Sequence, residues 1–194
     1  MKLSLDLDVD SSPEWVAAVM DDFDTFLQDH ANCERKASAM AMSFVAKYPD
    51  RTEIIPELIA TGVEELEHFQ SVYTIMETRG VRLPAEMSPD LYVKDLLQGC
   101  RSGREERFMD RLLLASVIEC RGAERFRLVY EALPPGEMKE FYHNLWASEA
   151  KHGHIFVKMA LVYFDENDVY SRLKELNVLE SKILTQLPIR AALH

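Results

Sequence analysis

The sequence predicts an all-α protein: a four-helix bundle with one long crossover and an additional C-terminal helix. Long segments carry apolar residues at helical spacing, and only seven glycines occur among the 194 residues. Prolines fall at the ends of these segments, where they end or start helices. A chain of this length suffices for one hydrophobic core, so we expect residues 1–194 to form a single domain, with the bundle over about 13–164.

Turn and cap signals separate the predicted helices. Ser12-Pro13 begins a helical pattern that extends to Tyr48, either as one very long helix or as a short helix continuing into a longer one near Asp29. Residues 1–11 are expected to be a poorly ordered lead-in, and residues 81–102 a crossover containing a short helix at 90–97. The other helices are predicted at 52–80, starting between Thr52 and Pro56, and at about 103–133, 136–164 and 169–187.

A repeated motif dominates the chain. Glu65-x-x-His68 and Glu149-x-x-His152 each place a carboxylate and an imidazole on one helix face, because residues three apart are neighbours on that face. A further glutamate precedes each motif at nearly the same distance: the interval from Glu34 to Glu65 is only one position longer than the interval from Glu119 to Glu149. The chain therefore contains the pattern Glu, then Glu-x-x-His, twice.

The four glutamates of this pattern are predicted to lie at similar depths. Glu34 precedes the turn at Tyr48 by almost the same number of positions as Glu65 follows Thr52, and Glu119 and Glu149 have the same offsets from Leu133 and Gly136. At 1.5 Å per residue, each glutamate lies roughly 20 Å from a turn. Antiparallel helices joined by these turns would thus bring the four positions to a common height.

This pattern is the ligand set of a ferritin-like dinuclear carboxylate centre, in which two helices give one Glu each and two give Glu-x-x-His. Carboxylate and imidazole ligands favour iron over zinc, with manganese as the less favoured alternative, and open coordination positions on reduced iron bind dioxygen. A single Glu-x-x-His is more often a solvated pair, but the duplication and the matched spacing favour a metal site. The predicted metal ligands are Glu34, Glu65, His68, Glu119, Glu149 and His152.

Composition limits the classes of function. The formal net charge of -11 argues against broad, non-specific attraction to nucleic acid. No apolar run is long enough to span a membrane, the N-terminus does not look like an export signal, and the three cysteines form no C-x-x-C pair; we therefore expect a cytoplasmic protein without a membrane partner. Arginines gather at the start of the third bundle helix and are candidate phosphate contacts, although a solvated face is the more common meaning: Arg101, Arg104, Arg107 and Arg111.

Four segments resemble the tRNA hydroxylases of the MiaE family: "DHANCERKASAMAMSFVAKYPDR", "EELEHF", "IECRGAERF" and "SEAKHGHIF". The resemblance covers about residues 13–187 and implies a ferritin-like di-iron monooxygenase. Such an enzyme uses dioxygen to hydroxylate the isopentenyl group of 2-methylthio-isopentenyladenosine, the modified base beside the anticodon. By analogy, the two iron ions would be held by the six ligands predicted above. For an acidic chain that binds tRNA, the basic groups must be local, and Arg121, Arg125 and Arg127 are further candidates.

The resemblance also implies partners. The substrate would be prenylated tRNA, and an external reductase would supply electrons, since no flavin or nicotinamide motif is visible in the sequence. The oligomeric state, monomer or dimer, is left open. Two alternatives are left open. One is a bacterioferritin-like protein for iron oxidation and storage, a class with the same double Glu-x-x-His. The other is a peroxide- or superoxide-defence protein of the rubrerythrin or manganese catalase type, of which the missing C-x-x-C pair excludes only the rubredoxin module.

Overall fold

The computed structural model describes residues 7–86 and 89–194, and within that part it describes no side chain for residues 150 and 151. The described residues form helices and contain no strand, which confirms the all-α prediction. None of the helices described is long and apolar enough to cross a membrane. The helices, in chain order, are α1 (Pro13–Asp21), α2 (Phe23–Lys47), α3 (Ile55–Arg79), α4 (Leu91–Gln98), α5 (Arg104–Ala132), α6 (Glu137–Leu161) and α7 (Glu166–Leu184).

The first helical segment is broken, but not where the sequence suggested. α1 ends at Asp21 and α2 begins at Phe23, so the break lies seven residues before Asp29. The side chain of Asp22 accepts a hydrogen bond from the backbone N–H of Thr25, at 3.2 Å. This N-cap satisfies one of the backbone donors left open at the start of a helix, which explains why the chain restarts there.

The chain divides into two compact units. One unit comprises Ala17–Pro89 and Arg190–Leu193, and its main feature is the packing of α2 against α3. Its buried side chains include Phe44, Leu58 and Val72. At the C-terminus of α3, Gly80 adopts a φ of 71°, a left-handed conformation that costs glycine little, and it caps the helix as predicted. We call this part the α2–α3 unit.

The other unit comprises Asp90–Ile189, the segment up to Val16 and His194, and we call it the α5–α6 unit. α5 packs chiefly on α6 and also contacts α7 and α4. The α5–α6 turn at 133–136 contains the two prolines and the glycine that predicted it. The predicted short helix of the crossover is α4, and the predicted C-terminal helix is α7, which starts three residues earlier because Asp165 caps it.

A buried ion pair and the hydrogen bonds around it connect the elements of the α5–α6 unit. Glu180 on α7 accepts a hydrogen bond from Arg121 Nε on α5 at 2.8 Å and one from the Tyr92 hydroxyl on α4 at 3.0 Å. Arg121 also donates to the carbonyl oxygen of Val9 at 2.6 Å, and Ser11 donates to Glu124. The prediction of a poorly ordered lead-in is therefore wrong for the part of it that contains these contacts, while residues 1–6 lie outside the described residues.

Candidate metal centre

The first half of the candidate metal centre lies within the α2–α3 unit. Glu34 is on α2, and Glu65 and His68 are on one face of α3. The Nδ1 atom of His68 lies 3.5 Å from an oxygen of Glu65 and 3.8 Å from an oxygen of Glu34. One ligand atom from each of the three residues lies within 4.8 Å of the others. The fold thus brings together the three ligands predicted for this hairpin.

His30 supports Glu34 from one helical turn earlier. Its Nε2 atom lies 2.7 Å from Glu34 Oε1, and the imidazole is completely buried against the ring of Phe26. In metal sites, hydrogen bonds from neighbouring side chains fix the orientation of a ligating group. In the sequence, the i, i+4 spacing of His30 and Glu34 is the signal that identifies this contact.

The second half lies within the α5–α6 unit. Glu119 is on α5, and Glu149 and His152 are on α6. His152 Nδ1 lies 3.0 Å from Glu149 Oε2, and one ligand atom from each of the three residues lies within 4.8 Å of the others. All three side chains are buried, with relative exposures of 7% for Glu119, 2% for Glu149 and 1% for His152.

The helix contact beside this second half is very close. The Ser116 hydroxyl donates to the carbonyl oxygen of Gly153, the residue after His152. A Cβ atom added to Gly153 would collide with the sulfur of Cys120, so a larger residue there would require the Cys120 side chain to move. Burial, with a smaller contribution from the neighbouring Glu119 carboxylate, raises the pKa of the Cys120 thiol to about 12. Cys120 is therefore a neutral packing group.

Gly122, one turn beyond Glu119, is buried but faces open space. A Cβ atom added there would meet no atom of the described residues within 4 Å, apart from the helix backbone itself. A glycine one turn beyond a predicted ligand can serve a close helix–helix contact or leave space beside the metal ligands. The open space in front of Gly122 favours the second of these explanations.

The chemistry of the two ligand sets fits a metal ion. Each set offers two carboxylates and one imidazole, which are ligands that iron and manganese accept readily. A buried carboxylate without a compensating cation costs several kcal/mol, by order of magnitude about 3–5 when a partner is lost. Glu65 and Glu149 are each less than 3% exposed, so a bound cation would stabilise both units.

The arginines proposed for tRNA divide into two groups. Arg121 and Arg125 are buried, which contradicts their role as surface contacts for tRNA. Burial lowers the pKa of Arg125 to about 10, and its guanidinium carbon lies 4.6 Å from the ring centroid of Trp15. Arg127 pairs with Glu131 on the surface at 2.9 Å.

The cluster at the start of α5 is only partly available to a ligand. Arg101 donates to the buried carboxylate of Asp110, with a shortest distance of 2.7 Å, and so has a structural role. Arg104 and Arg107 are exposed, whereas Arg111 is half-buried. Contact between these arginines and tRNA stays a prediction.

Comparisons with known proteins agree with the resemblance seen in the sequence. The family model described as "tRNA-(MS[2]IO[6]A)-hydroxylase (MiaE)" matches residues 4–194. A tRNA 2-(methylsulfanyl)-N(6)-isopentenyladenosine(37) hydroxylase from Pseudomonas putida is 36% identical over 155 residues, covering 80% of this chain and 75% of that protein. The protein with the same name from Salmonella typhimurium is 26% identical over 132 residues, covering 68% of this chain and 48% of its own length.

A solved structure has a very similar fold. "Protein 43 with aldehyde deformylating oxygenase activity", from Synechococcus, superposes with a TM-score of 0.89 at 32% sequence identity, covering 95% of this chain and 92% of that one. The ferritin-like fold class predicted from the helix pattern is therefore confirmed. With the match of the family model over nearly the whole sequence and the relative from P. putida, this shows that the chain belongs to the MiaE family of tRNA hydroxylases.

Proposed function

We propose that the protein is an oxygen-dependent di-iron monooxygenase that hydroxylates the isopentenyl group of 2-methylthio-isopentenyladenosine beside the anticodon of tRNA. One observation carries the proposal: a chain of the MiaE family has two hairpins, and each gathers one Glu and one Glu-x-x-His pair within ligand distance. We assign both sets to one dinuclear centre. Its ligands are Glu34, Glu65, His68, Glu119, Glu149 and His152.

The donor set supports iron in preference to zinc. Zinc sites in proteins are mostly tetrahedral with thiolate or imidazole ligands, whereas four carboxylates and two imidazoles suit a pair of iron ions, with manganese second. Two iron ions held by these six residues would supply a place for dioxygen and the redox change that its activation requires. The protein's task is to hold these ions, to orient the ligands and to keep water away from the reacting carbon.

The overall reaction needs an external electron source. One atom of dioxygen is inserted into a C–H bond of the isopentenyl group to give C–OH, and the other leaves as water, which consumes two electrons and two protons. The sequence contains no flavin or nicotinamide motif, so we assign the electrons to a separate reductase. We propose that the protein acts in the cytoplasm, where tRNA is found, as a single domain and as a monomer or a dimer.

The open space at Gly122 is a candidate position for the substrate. The position of Gly122 one turn from Glu119 and the open space in front of it would admit the small apolar end of the prenyl group. Gly122→Val should fill this space, and we expect kcat/KM for prenylated tRNA to fall about tenfold or more, the cost of misplacing a substrate. Iron content and the free energy of unfolding should stay close to the original values. A variant with full kcat/KM would exclude Gly122 from the substrate site.

The activity is tested directly by incubating the full chain, loaded with ferrous ion, with prenylated tRNA, a reductant and dioxygen. Mass spectrometry of the digested tRNA should reveal a nucleoside heavier by one oxygen atom. Prenylated tRNA incubated without the protein provides the control. If an iron-loaded protein yields no such product, the substrate assignment fails.

A second candidate activity comes from the Synechococcus protein, whose description assigns it aldehyde deformylating oxygenase activity. The same iron-loaded protein can be given an aldehyde and analysed for released formate. Formate production without hydroxylation of tRNA would favour this second activity. For the storage alternative, a cage of many subunits should elute far earlier from a sizing column than a monomer or a dimer.

A further inference from the structure

A surface pocket of about 440 Å³ opens at the turn between α5 and α6. This volume falls in the range of about 300–1,000 Å³ typical of small-molecule sites. Tyr130 and Pro135 contribute apolar surface, and the polar lining comes from Lys139, Glu140, His143 and Asn144. All of these residues belong to the α5–α6 unit, and none of them is a predicted metal ligand.

One wall of the pocket is aromatic. The ring centroids of Tyr130 and His143 are 5.1 Å apart, and Trp146, which is not among the pocket-lining residues, packs on Tyr130 with its ring centroid at 6.1 Å and an interplanar angle of 25°. His143 is exposed, while Tyr130 and Trp146 are half-buried. Aromatic rings packed on one another but open on one side are the platforms on which proteins stack unpaired bases.

Lys139 is fixed at the edge of this wall. Its ammonium group lies 4.8 Å from the centroid of Tyr130 and donates to the carbonyl oxygens of Leu133 at 2.8 Å and of Glu131 at 3.4 Å. An ammonium group has three donors, so these two hydrogen bonds leave one for a ligand. The cation is therefore held in place before any ligand binds.

The remaining polar groups suit a base more than a phosphate. The exposed carboxylate of Glu140 would repel a phosphate in the pocket, but it can accept hydrogen bonds from the N–H groups of a base. Asn144 offers both a donor and an acceptor. A flat, uncharged ligand with N–H groups at its edge fits this combination better than an anion does.

We propose that this pocket binds an unpaired nucleobase of the tRNA substrate, one that flanks the target adenosine in the anticodon loop. The inference rests on the proposed function, because that function names tRNA as the substrate. The position on α6 supports it: His143 lies six residues before Glu149, about 9 Å along the helix axis, and Trp146 lies three residues before it, about 4.5 Å. A base held here would anchor the loop beside the metal ligands of the same helix.

The proposal is tested with a tRNA anticodon stem-loop that carries 2-aminopurine beside the target position. Stacking on an aromatic ring quenches the fluorescence of this base, so binding to the iron-loaded full chain should reduce the signal. The 2-aminopurine is placed at each flanking position in turn, and one of the two positions should show the quenching. His143→Ala should abolish the quenching at that position and weaken Kd about tenfold, as expected for the loss of one base–aromatic contact. His143→Phe should restore both, because it keeps a ring but removes the imidazole nitrogens.

Tyr73→Ala is the matched control. Tyr73 is an exposed aromatic residue on α3, outside the pocket, and its removal should change neither the quenching nor Kd. Equal quenching and equal Kd in the His143→Ala and Tyr73→Ala proteins would overturn the proposal. The assay needs no turnover, so its result is independent of the hydroxylation experiment: absence of hydroxylated nucleoside defeats the proposed function, while unchanged binding by His143→Ala defeats the pocket.

Discussion

The two Glu-x-x-His motifs are built alike but lie in different surroundings. In the α2–α3 hairpin, the histidine side chain keeps 15% of its surface exposed, and its Nδ1 atom lies 3.5 Å from an oxygen of Glu65. In the α5–α6 hairpin, the histidine side chain is 1% exposed and lies 3.0 Å from its glutamate. The first half is thus more accessible to water, and the second is drier and more tightly packed.

The supports of the two hairpins differ in the same direction. The α5–α6 unit has a fully buried carboxylate–guanidinium pair, Glu180 with Arg121, and a buried carboxylate, Asp110, that pairs with the more exposed guanidinium groups of Arg101 and Arg172. The α2–α3 unit has the exposed pair of Arg79 and Asp24 at 2.8 Å. Exposed ion pairs contribute little to stability, whereas removing one member of a buried pair is costly. A repeated ligand motif therefore does not imply two equally stable halves.

Among the variants that test this difference between the two units, Glu180→Gln should have the largest effect on the free energy of unfolding. We expect a loss of about 3–5 kcal/mol in the free energy of unfolding, since the buried guanidinium of Arg121 would lose the fully buried one of its two carboxylate partners and keep only Glu124. Asp24→Asn, the matched change in the exposed pair, should cost at most about 1 kcal/mol. Urea denaturation followed by circular dichroism measures both. Similar losses for the two variants would show that the hairpins are supported equally.

His30→Leu should affect the first half of the centre alone. Loss of the hydrogen bond to Glu34 should lower the affinity for one of the two ferrous ions by about 10–100-fold, the usual effect of removing a residue that orients a ligand. Anaerobic titration with ferrous ion against a competing chelator measures the affinities. His30→Gln, which can still donate to Glu34, should retain most of the affinity; weakening of both ions to the same extent by His30→Leu would argue against a local effect.

The close packing of the second half can be tested with two glycines. Gly153→Ala should destabilise the protein by about 1–3 kcal/mol, because the new methyl group would force the Cys120 side chain out of its present position. Gly62→Ala on α3 should be tolerated or stabilise by up to about 1 kcal/mol, since its Cβ would lie 3.5 Å from Met42 Sδ, an ordinary contact, and alanine favours the helix. Thermal unfolding of both variants makes the comparison; a tolerated Gly153→Ala would show that the second half is not tightly packed.

The smallest expected effect is the change with pH in the contribution of Asp110 to the free energy of unfolding. Burial alone would raise the pKa of Asp110, but hydrogen bonds from Arg172 and Arg101 outweigh it and lower the pKa below its ordinary value of 3.8. Because the folded-state pKa is the lower one, this carboxylate contributes stability above about pH 4, and the contribution is lost as the pH falls through the folded-state value. The gap in unfolding free energy between the original protein and Asp110→Asn should therefore be constant near neutral pH and shrink below pH 4. A gap that is unchanged at pH 3 would contradict this.

The helix pattern was predictable because it depends on local signals. Prolines, glycines and the 3.6-residue period gave the bounds of α3, α5 and α6 to within a few residues. The three ligands of each hairpin followed from equal distances to a turn, which is a matter of counting. The break at Asp22 was missed because an N-cap inside a continuous apolar pattern leaves little trace in the period.

Tertiary contacts account for what the sequence did not reveal. Arg121 looked like a surface residue, and its partner Glu180 is 59 residues further along the chain. Neither the burial of this pair nor the hydrogen bonds that fix the segment at Val9 and Ser11 can be read from local spacing. The pocket at the α5–α6 turn likewise combines residues of two helices, and only their packing brings Tyr130 and His143 together.

Mössbauer spectroscopy of the full chain, loaded anaerobically with ferrous ion and then oxidised, tests the six-residue di-iron centre most directly. Two iron ions per chain should be found, coupled as one pair, as expected for a ferritin-like carboxylate centre. Glu65→Ala and Glu149→Ala should each retain about one ion and lose the coupling, because each removes a ligand of the shared centre. Glu67→Ala, which alters an exposed neighbour, should behave like the original protein. Two magnetically isolated ions in the original protein, or well under one ion per chain, would contradict a shared centre.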